Sequence, residues 1–246
     1  MRRTTELLVS EITVMGAGFC VIGLERLPAG FRSLRPIPRN SFSWTKFSHQ
    51  RGDRVAFELS FMSALRPHGE DRRAGNFQLL GSVSEAQLLE CLKRAELAGS
   101  VKDLFGCAVH PSPRGGEAVY ADCKEAQRSI CGCEIAAVSF SFRFYPPKIR
   151  AAVALKSGET LESLPVVDAG WIGVANDLTS HIQDDRKRRL EAQHFFDSVI
   201  QKRIISSNHR FARIGLARPK NDEGFCWLML DTLFPLPNPA WLNEAK

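Results

Sequence analysis

Three groups of side chains in this 246-residue chain have types and spacings that could do chemistry. Cys107-x2-His110, Cys123 and Cys131-Gly132-Cys133 fall within 27 residues. Cysteine and histidine are the preferred zinc ligands, but structural zinc sites are built from paired C-x2-C knuckles, and the chain has none. Alternation along a strand would put Cys131 and Cys133 on one face, as buried thiols without a metal. Pro67-His68-Gly69-Glu70-Asp71 is the second group. A His, Glu and Asp in one loop suit acid–base or metal chemistry, but no partner nucleophile or second carboxylate pair is recognisable. Capping and salt bridging account for the cluster equally well. The third group interleaves cations with rings: Phe31, Arg32, Arg35, Arg39, Trp44, Lys46, Phe47 and Arg51, then His209, Arg210, Phe211, Arg213, Arg218, Lys220 and Trp227. Bases stack on rings while Lys and Arg follow phosphates, so this pattern fits a single-strand binder. Phe57, Phe61 and Trp227 are better core candidates than Trp44. Phosphate-cradle, dinucleotide, H-E-x-x-H, G-x-S-x-G and deaminase signatures are all absent. No catalytic residue, metal or cofactor is therefore expected.

Charge supports the third group. The net charge is +6, yet residues 26–73 and 201–220 each carry a net +6 and the remainder is acidic. Two concentrated basic segments are the footprint of a protein that meets a polyanion. The run Arg186–Arg189 follows Asp184-Asp185 and reads as a solvated helix start. A hydrophobic content of 44% excludes disorder, and no apolar run is long enough to span a membrane. Glu6 and Glu11 interrupt any secretory core after Arg2-Arg3. Seven cysteines, an odd number, do not form an extracellular disulfide framework, so a reducing, cytoplasmic setting is expected.

The elements that must position these residues are mostly short strands. Residues 7–14 and 19–24 flank Gly16-Ala17-Gly18 as a hairpin. Residues 54–61 alternate with period two, 135–145 pairs with 148–155, and 211–217 pairs with 225–233. Helices are expected at 84–95, with Ser84 as N-cap, and at 186–200. The Gly- and Pro-containing break at 97–117 separates two β-rich halves, 1–100 and 101–246. The expected fold is mainly β with a few helices, arranged as small barrels.

Several motifs together resemble a family of bacterial proteins described as having a dual OB-containing domain. They are Phe19-Cys20-Val21-Ile22-Gly23, Leu34-Arg35-Pro36, Pro67-His68-Gly69-Glu70-Asp71 and Leu104-Phe105-Gly106. Gln127-Arg128-Ser129-Ile130, Lys148-Ile149-Arg150-Ala151, Arg213-Ile214-Gly215-Leu216-Ala217-Arg218-Pro219 and Cys226-Trp227-Leu228 complete the set. Two departures stand out, Ala17-Gly18-Phe19-Cys20 for Gly-Gly-Arg-Cys and Ser33 for an aromatic residue. The resemblance implies two OB-like barrels and a role beside nucleic-acid modification or antiphage defence enzymes. The resulting expectation is a non-catalytic nucleic-acid-binding subunit that recognises single-stranded or locally opened DNA or RNA and works with a partner protein. Its contacts would be Arg35, Arg39, Trp44, Lys46, Arg51, Arg54 and His68 in the first half, and Arg210, Arg213, Arg218 and Lys220 in the second. Arg35 and Arg218 each precede a proline and could equally tie a strand end to Glu70 or Asp71. The alternatives are a protein-docking subunit and a hydrolase centred on His68, Glu70 and Asp71.

Overall fold

Five alternating segments near the N-terminus form β1 (Arg2–Met15), β2 (Gly18–Leu27), β3 (Gly30–Pro38), β4 (Asp53–Phe61) and β5 (Asp71–Ser82). They close a barrel in the order β1-β2-β3-β5-β4, in which β3 and β5 are the parallel pair. The computed structural model describes residues 2–62, 66–112, 118–144, 147–219 and 224–237. Leu7, Val9, Val21, Leu34, Val55 and Phe57 point into the barrel, and Trp44, Phe47 and Phe77 pack against this core. Phe61, expected in the core, has the inward parity of Phe57 but is the last residue of β4. It lies 79% exposed.

Helix α1 (Glu85–Lys93) follows the barrel. Ser84 and Gln87 form a capping box, and Leu88, Leu89 and Leu92 make the buried stripe that the spacing requires. That stripe packs with Leu8 and Leu24 from the outer face of the first barrel, and with Phe211 and Phe234 from the second half.

The second half runs β6 (Leu97–Ala98), α2 (Val101–Phe105), β7 (Val109–Pro111), β8 (Val119–Asp122), β9 (Ile130–Phe144), β10 (Pro147–Leu155) and β11 (Thr160–Pro165). It continues through α3 (Ala169–Thr179), α4 (Asp185–Phe195), a π-helical turn (Phe196–Ile200), α5 (Gln201–Ser206), β12 (Phe211–Leu216) and β13 (Phe225–Phe234). Within its larger sheet the strands run β11-β10-β9-β12-β13. A parallel bridge between Val166 and Leu230 brings the two ends of this curled array together. The order and the parallel closure repeat those of the first barrel, so the fold is mainly β with two OB-like barrels. β6 pairs with β9, although it precedes the expected boundary at 100.

The late helix departs from the sequence expectation by its π turn. Ala192, Phe196, Ile200 and Ile204 are all buried, at a constant spacing of four. A helix of 3.6 residues per turn would carry that series progressively off the core, and one wider turn absorbs the drift. Cys123 and Cys226 are joined in a disulfide between β13 and the end of β8. This corrects the reading of Cys123, with Cys107, Cys131 and Cys133, as a thiol; the two strands are neighbours, which the sequence separation of 103 conceals. No described helix is long and apolar enough to cross a membrane.

Burial separates two phenylalanines on one strand. Phe57→Ala should destabilise the protein by about 3–5 kcal/mol, and Phe61→Ser by less than about 0.5 kcal/mol. Urea unfolding of the two variants checks the contrast.

Candidate functional site

The outer face of β1, β2 and β3 is where an OB-like barrel ordinarily grips its ligand. Here the second half covers it. Two β-bulges deliver the carboxylates that meet there. In β1 the register shifts between Val9 and Glu11, leaving Ser10 unpaired. The shift turns Glu11 out of the barrel and lets Ile12 pack inward. In β13 Arg213 pairs with Thr232 and Ile214 with Leu230, so Asp231 is the extra residue.

Arg213 is fully buried. Its Nε donates to Glu11 Oε1 at 2.7 Å, its Nη2 donates to Ser33 Oγ at 2.6 Å, and Nη1 stands 4.0 Å from Glu96. Arg35 donates from Nη1 to Asp71 at 3.1 Å and from Nη2 to Ser129 Oγ at 3.1 Å, and pairs with Glu70 at 3.1 Å. Its Nη1 also lies 3.0 Å from His68 Nδ1. A guanidinium only donates, so Nδ1 accepts and the imidazole proton sits on Nε2. Arg218 pairs with Asp71 at 2.6 Å. Arg51 pairs with Asp168, which also caps α3 through the N–H groups of Gly170 and Trp171. Four arginines from the two basic segments thus meet Glu11, Glu70, Asp71 and Asp168, and three of these pairings, together with Arg35 to Ser129, cross between the halves or tie their loops.

The sequence-predicted contacts divide accordingly. Arg35, Arg51, Arg213 and Arg218 are engaged in these pairs, as the strand-end alternative had it for Arg35 and Arg218. His68 is buried beside Arg35. Trp44 donates from Nε1 to the Pro36 carbonyl at 2.8 Å, and its ring stands among Phe47, Phe57 and Phe77. Arg39, Lys46 and Arg54 are exposed, with Arg54 on Glu6 at 2.7 Å. Arg210 is half-buried and donates to the Ala136 carbonyl. Lys220 lies outside the described residues.

The cluster sets its own protonation states. Burial alone would raise Glu70, but the Arg35 charge beside it, with the Ser129 hydroxyl donating alongside, holds it at about 2. Burial lowers His68, against the opposing pull of Glu70. Asp231 goes the other way. Burial, followed by repulsion from Glu11, pushes it up to about 8 against the pull of Arg35 and Arg213. It is the buried carboxylate without an ion pair among the described residues. Its side chain lies over Gly215, where a Cβ would come within 2.0 Å of the carboxylate. A lone acid in the apolar run Cys226–Phe234 was the available sequence signal.

Two cavities flank this cluster. The first, about 330 Å³, lies between the barrels and is lined by Val14, Cys20, Ile22, Arg35, Met229 and Asp231, among others. The second, about 850 Å³, runs between the β1–β2 hairpin, β10 and helices α3 and α4. Its described lining holds Lys148, Arg150 and Arg188, with Phe142, and no carboxylate, although Arg188 pairs with Asp185 at 3.7 Å beside it. The two share Val14 and Val167, whose backbones are hydrogen-bonded at 2.7 Å. Sequence reading gave Lys148 and Arg150 no role and assigned Arg188 to solvent. No family model, curated protein or solved structure matches the chain.

Arg213→Met strands the buried Glu11 carboxylate and should cost about 3–5 kcal/mol, much of it restored by adding Glu11→Leu. Denaturant titration of the single and double variants reads this directly. Asp231→Asn should have the opposite effect. A folded-state value near 8 means the native protein holds a proton that the unfolded chain loses above about 4. Stability should then fall by about 1.4 kcal/mol per pH unit between these values and level off above them. The advantage of the Asn variant should grow from pH 4 to pH 8; an advantage that does not change with pH would contradict the assignment.

Proposed function

We propose that this chain is a non-catalytic nucleic-acid-binding subunit, the recognition or adaptor component of a bacterial defence or nucleic-acid-modification system. The observation that carries the reading is the wide cleft beside the β1–β2 hairpin, which gathers Lys148, Arg150 and Arg188 around a half-buried phenylalanine. Cations track phosphates and apolar walls accept bases, a combination suited to a single strand rather than to a protein helix or a small anion. The two OB-like barrels support the same reading by analogy of fold. Within it, the contacts move from the internal arginines to Lys148, Arg150 and Arg188. The outer face of the second barrel continues the path, because Ser139, Ser141, Ala152 and Ala154 stand exposed or half-exposed on β9 and β10. The exposed Lys46 adds sequence-independent attraction, whereas Arg39 and Arg54 are paired with Glu58 and Glu6.

Fluorescence anisotropy with a labelled single-stranded oligonucleotide, repeated across salt concentrations, tests the proposal. Three phosphate contacts give a slope of log K against log salt of about −2. Lys148→Ala and Arg188→Ala should each flatten it by about 0.7. Binding without salt dependence would remove the reading. A salt-insensitive association with protein, lost on changing the exposed Phe61, Leu79 and Leu80 to Ser, would favour the docking alternative.

A further inference from the structure

The segment between β3 and β4 leaves one apolar ring in solvent beside two cations. Phe42 is 52% exposed, whereas Trp44, two residues on, turns inward to Phe47, Phe57 and Phe77. Ser41 Oγ accepts from the Ser43 N–H at 3.1 Å, and this tight turn keeps Phe42 at its apex. The guanidinium carbons of Arg73 and Arg218 stand 5.5 and 5.2 Å from the ring centroid. A single exposed phenylalanine needs no explanation. Among the described residues, however, two of the three cation–π contacts share this ring. They also come from both halves of the chain, Arg73 from β5 and Arg218 from the segment after β12.

The two cations differ in what they leave free. Arg218 is held by Asp71 at 2.6 Å, so its charge is answered and its plane is fixed. Arg73 donates from Nη1 to the Pro38 and Ser41 carbonyls, at 2.9 and 3.2 Å, and meets no carboxylate among the described residues. Its charge is therefore open to an anion. The pair calls for a ligand with a flat face for the ring and a negative charge for Arg73. A basic peptide is repelled, an acyl chain brings no charge, and an inorganic anion leaves the ring uncovered. A nucleotide unit supplies both, because every base has a π-face and every link a phosphate. The site also adjoins the cationic cleft. A Cβ on Gly18 would come within 2.5 Å of the Trp44 carbonyl and 3.0 Å of Ser43 Oγ, so the β1–β2 hairpin packs on the residues next to Phe42. Gly16 of the same turn lines the cleft. We propose that Phe42 stacks a base of the bound strand and Arg73 takes a phosphate beside it, while Arg218, anchored on Asp71, holds the ring from the second half. This inference rests on the nucleic-acid reading above, and carries the strand from the cleft over the hairpin turn to the first barrel.

Anisotropy at low salt with two labelled strands of equal length, one with bases and one abasic throughout, tests it. Phe42→Ala should weaken the normal strand about 5- to 150-fold without changing the salt slope, since stacking releases few ions. The same variant should leave the abasic strand within about twofold of wild type. Phe42→Trp, with a larger ring, should keep or tighten binding of the normal strand. Arg73→Gln should weaken both strands and flatten the slope by about 0.7. Phe42 belongs to none of the hydrophobic cores, so its variants should unfold in urea as wild type does, which verifies the fold. Equal losses on the two strands in Phe42→Ala, or none on either, overturn the stacking site. An unchanged slope in Arg73→Gln overturns the phosphate contact, and equal competition by an acidic peptide overturns the strand as occupant. If wild type binds the normal strand with salt dependence and Phe42→Ala binds it equally, the proposed function stands without this site. No binding of either strand by wild type removes the function and the site together.

Discussion

The architecture depends on removing arginines from water. Arg213 has no solvent exposure, and its guanidinium reaches from β12 to Glu11 and Ser33 on the first barrel. Taking a guanidinium and a carboxylate out of water is expensive, and their attraction offsets that only when the remaining donors are also satisfied. Ser33 Oγ accepts from Nη2 and donates on to Glu96, and Ser10 Oγ donates to Glu11, while Nη1 has only the Glu96 charge, 4.0 Å away, among the described residues. Hydrophobic contact through Leu8, Leu24, Phe211 and Phe234 supplies adhesion between the barrels, but apolar surfaces can slide. Directional pairs at Arg35, Arg51 and Arg213 fix one mutual orientation, and with it the shape of both cavities.

The barrels themselves were largely legible in the sequence. Period-two alternation at 54–61, the Gly16-Ala17-Gly18 turn and the Ser84 cap each act locally, and each is found where the pattern puts it. The interface was not legible, because it is made by register. A single unpaired residue at Ser10 reverses the parity of everything after it, so Glu11 reads as an inward position and is an outward one. A second shift, in β13, frees Asp231. A bulge leaves no mark in hydrophobic periodicity, and the partner strands that define it are distant in sequence.

Charge misled for a related reason. Net +6 in two segments is a true property of the chain, but a linear map cannot distinguish cations that face water from cations that face buried carboxylates. The carboxylates opposing Arg213 and Arg51 lie 202 and 117 residues away. Lys148, Arg150 and Arg188 sit in a segment whose net charge is slightly negative, yet they converge on one cleft. Local field follows three-dimensional neighbours, so a segment that is weak on paper can still gather cations.

Covering the first barrel's outer face has a functional consequence. A lone OB-like barrel offers its sheet to ligand, and here that sheet is the floor of an interface, so its own ligand face is closed. What closure creates in exchange is a space between two rigid walls, with a bulged acid on one side and an arginine on the other. The cleft beside the hairpin owes its walls to the same docking, since Val14 of the first barrel and Val167 of the second half both line it and are hydrogen-bonded to one another. Such a cleft requires two barrels locked together, which is the arrangement the buried arginines enforce.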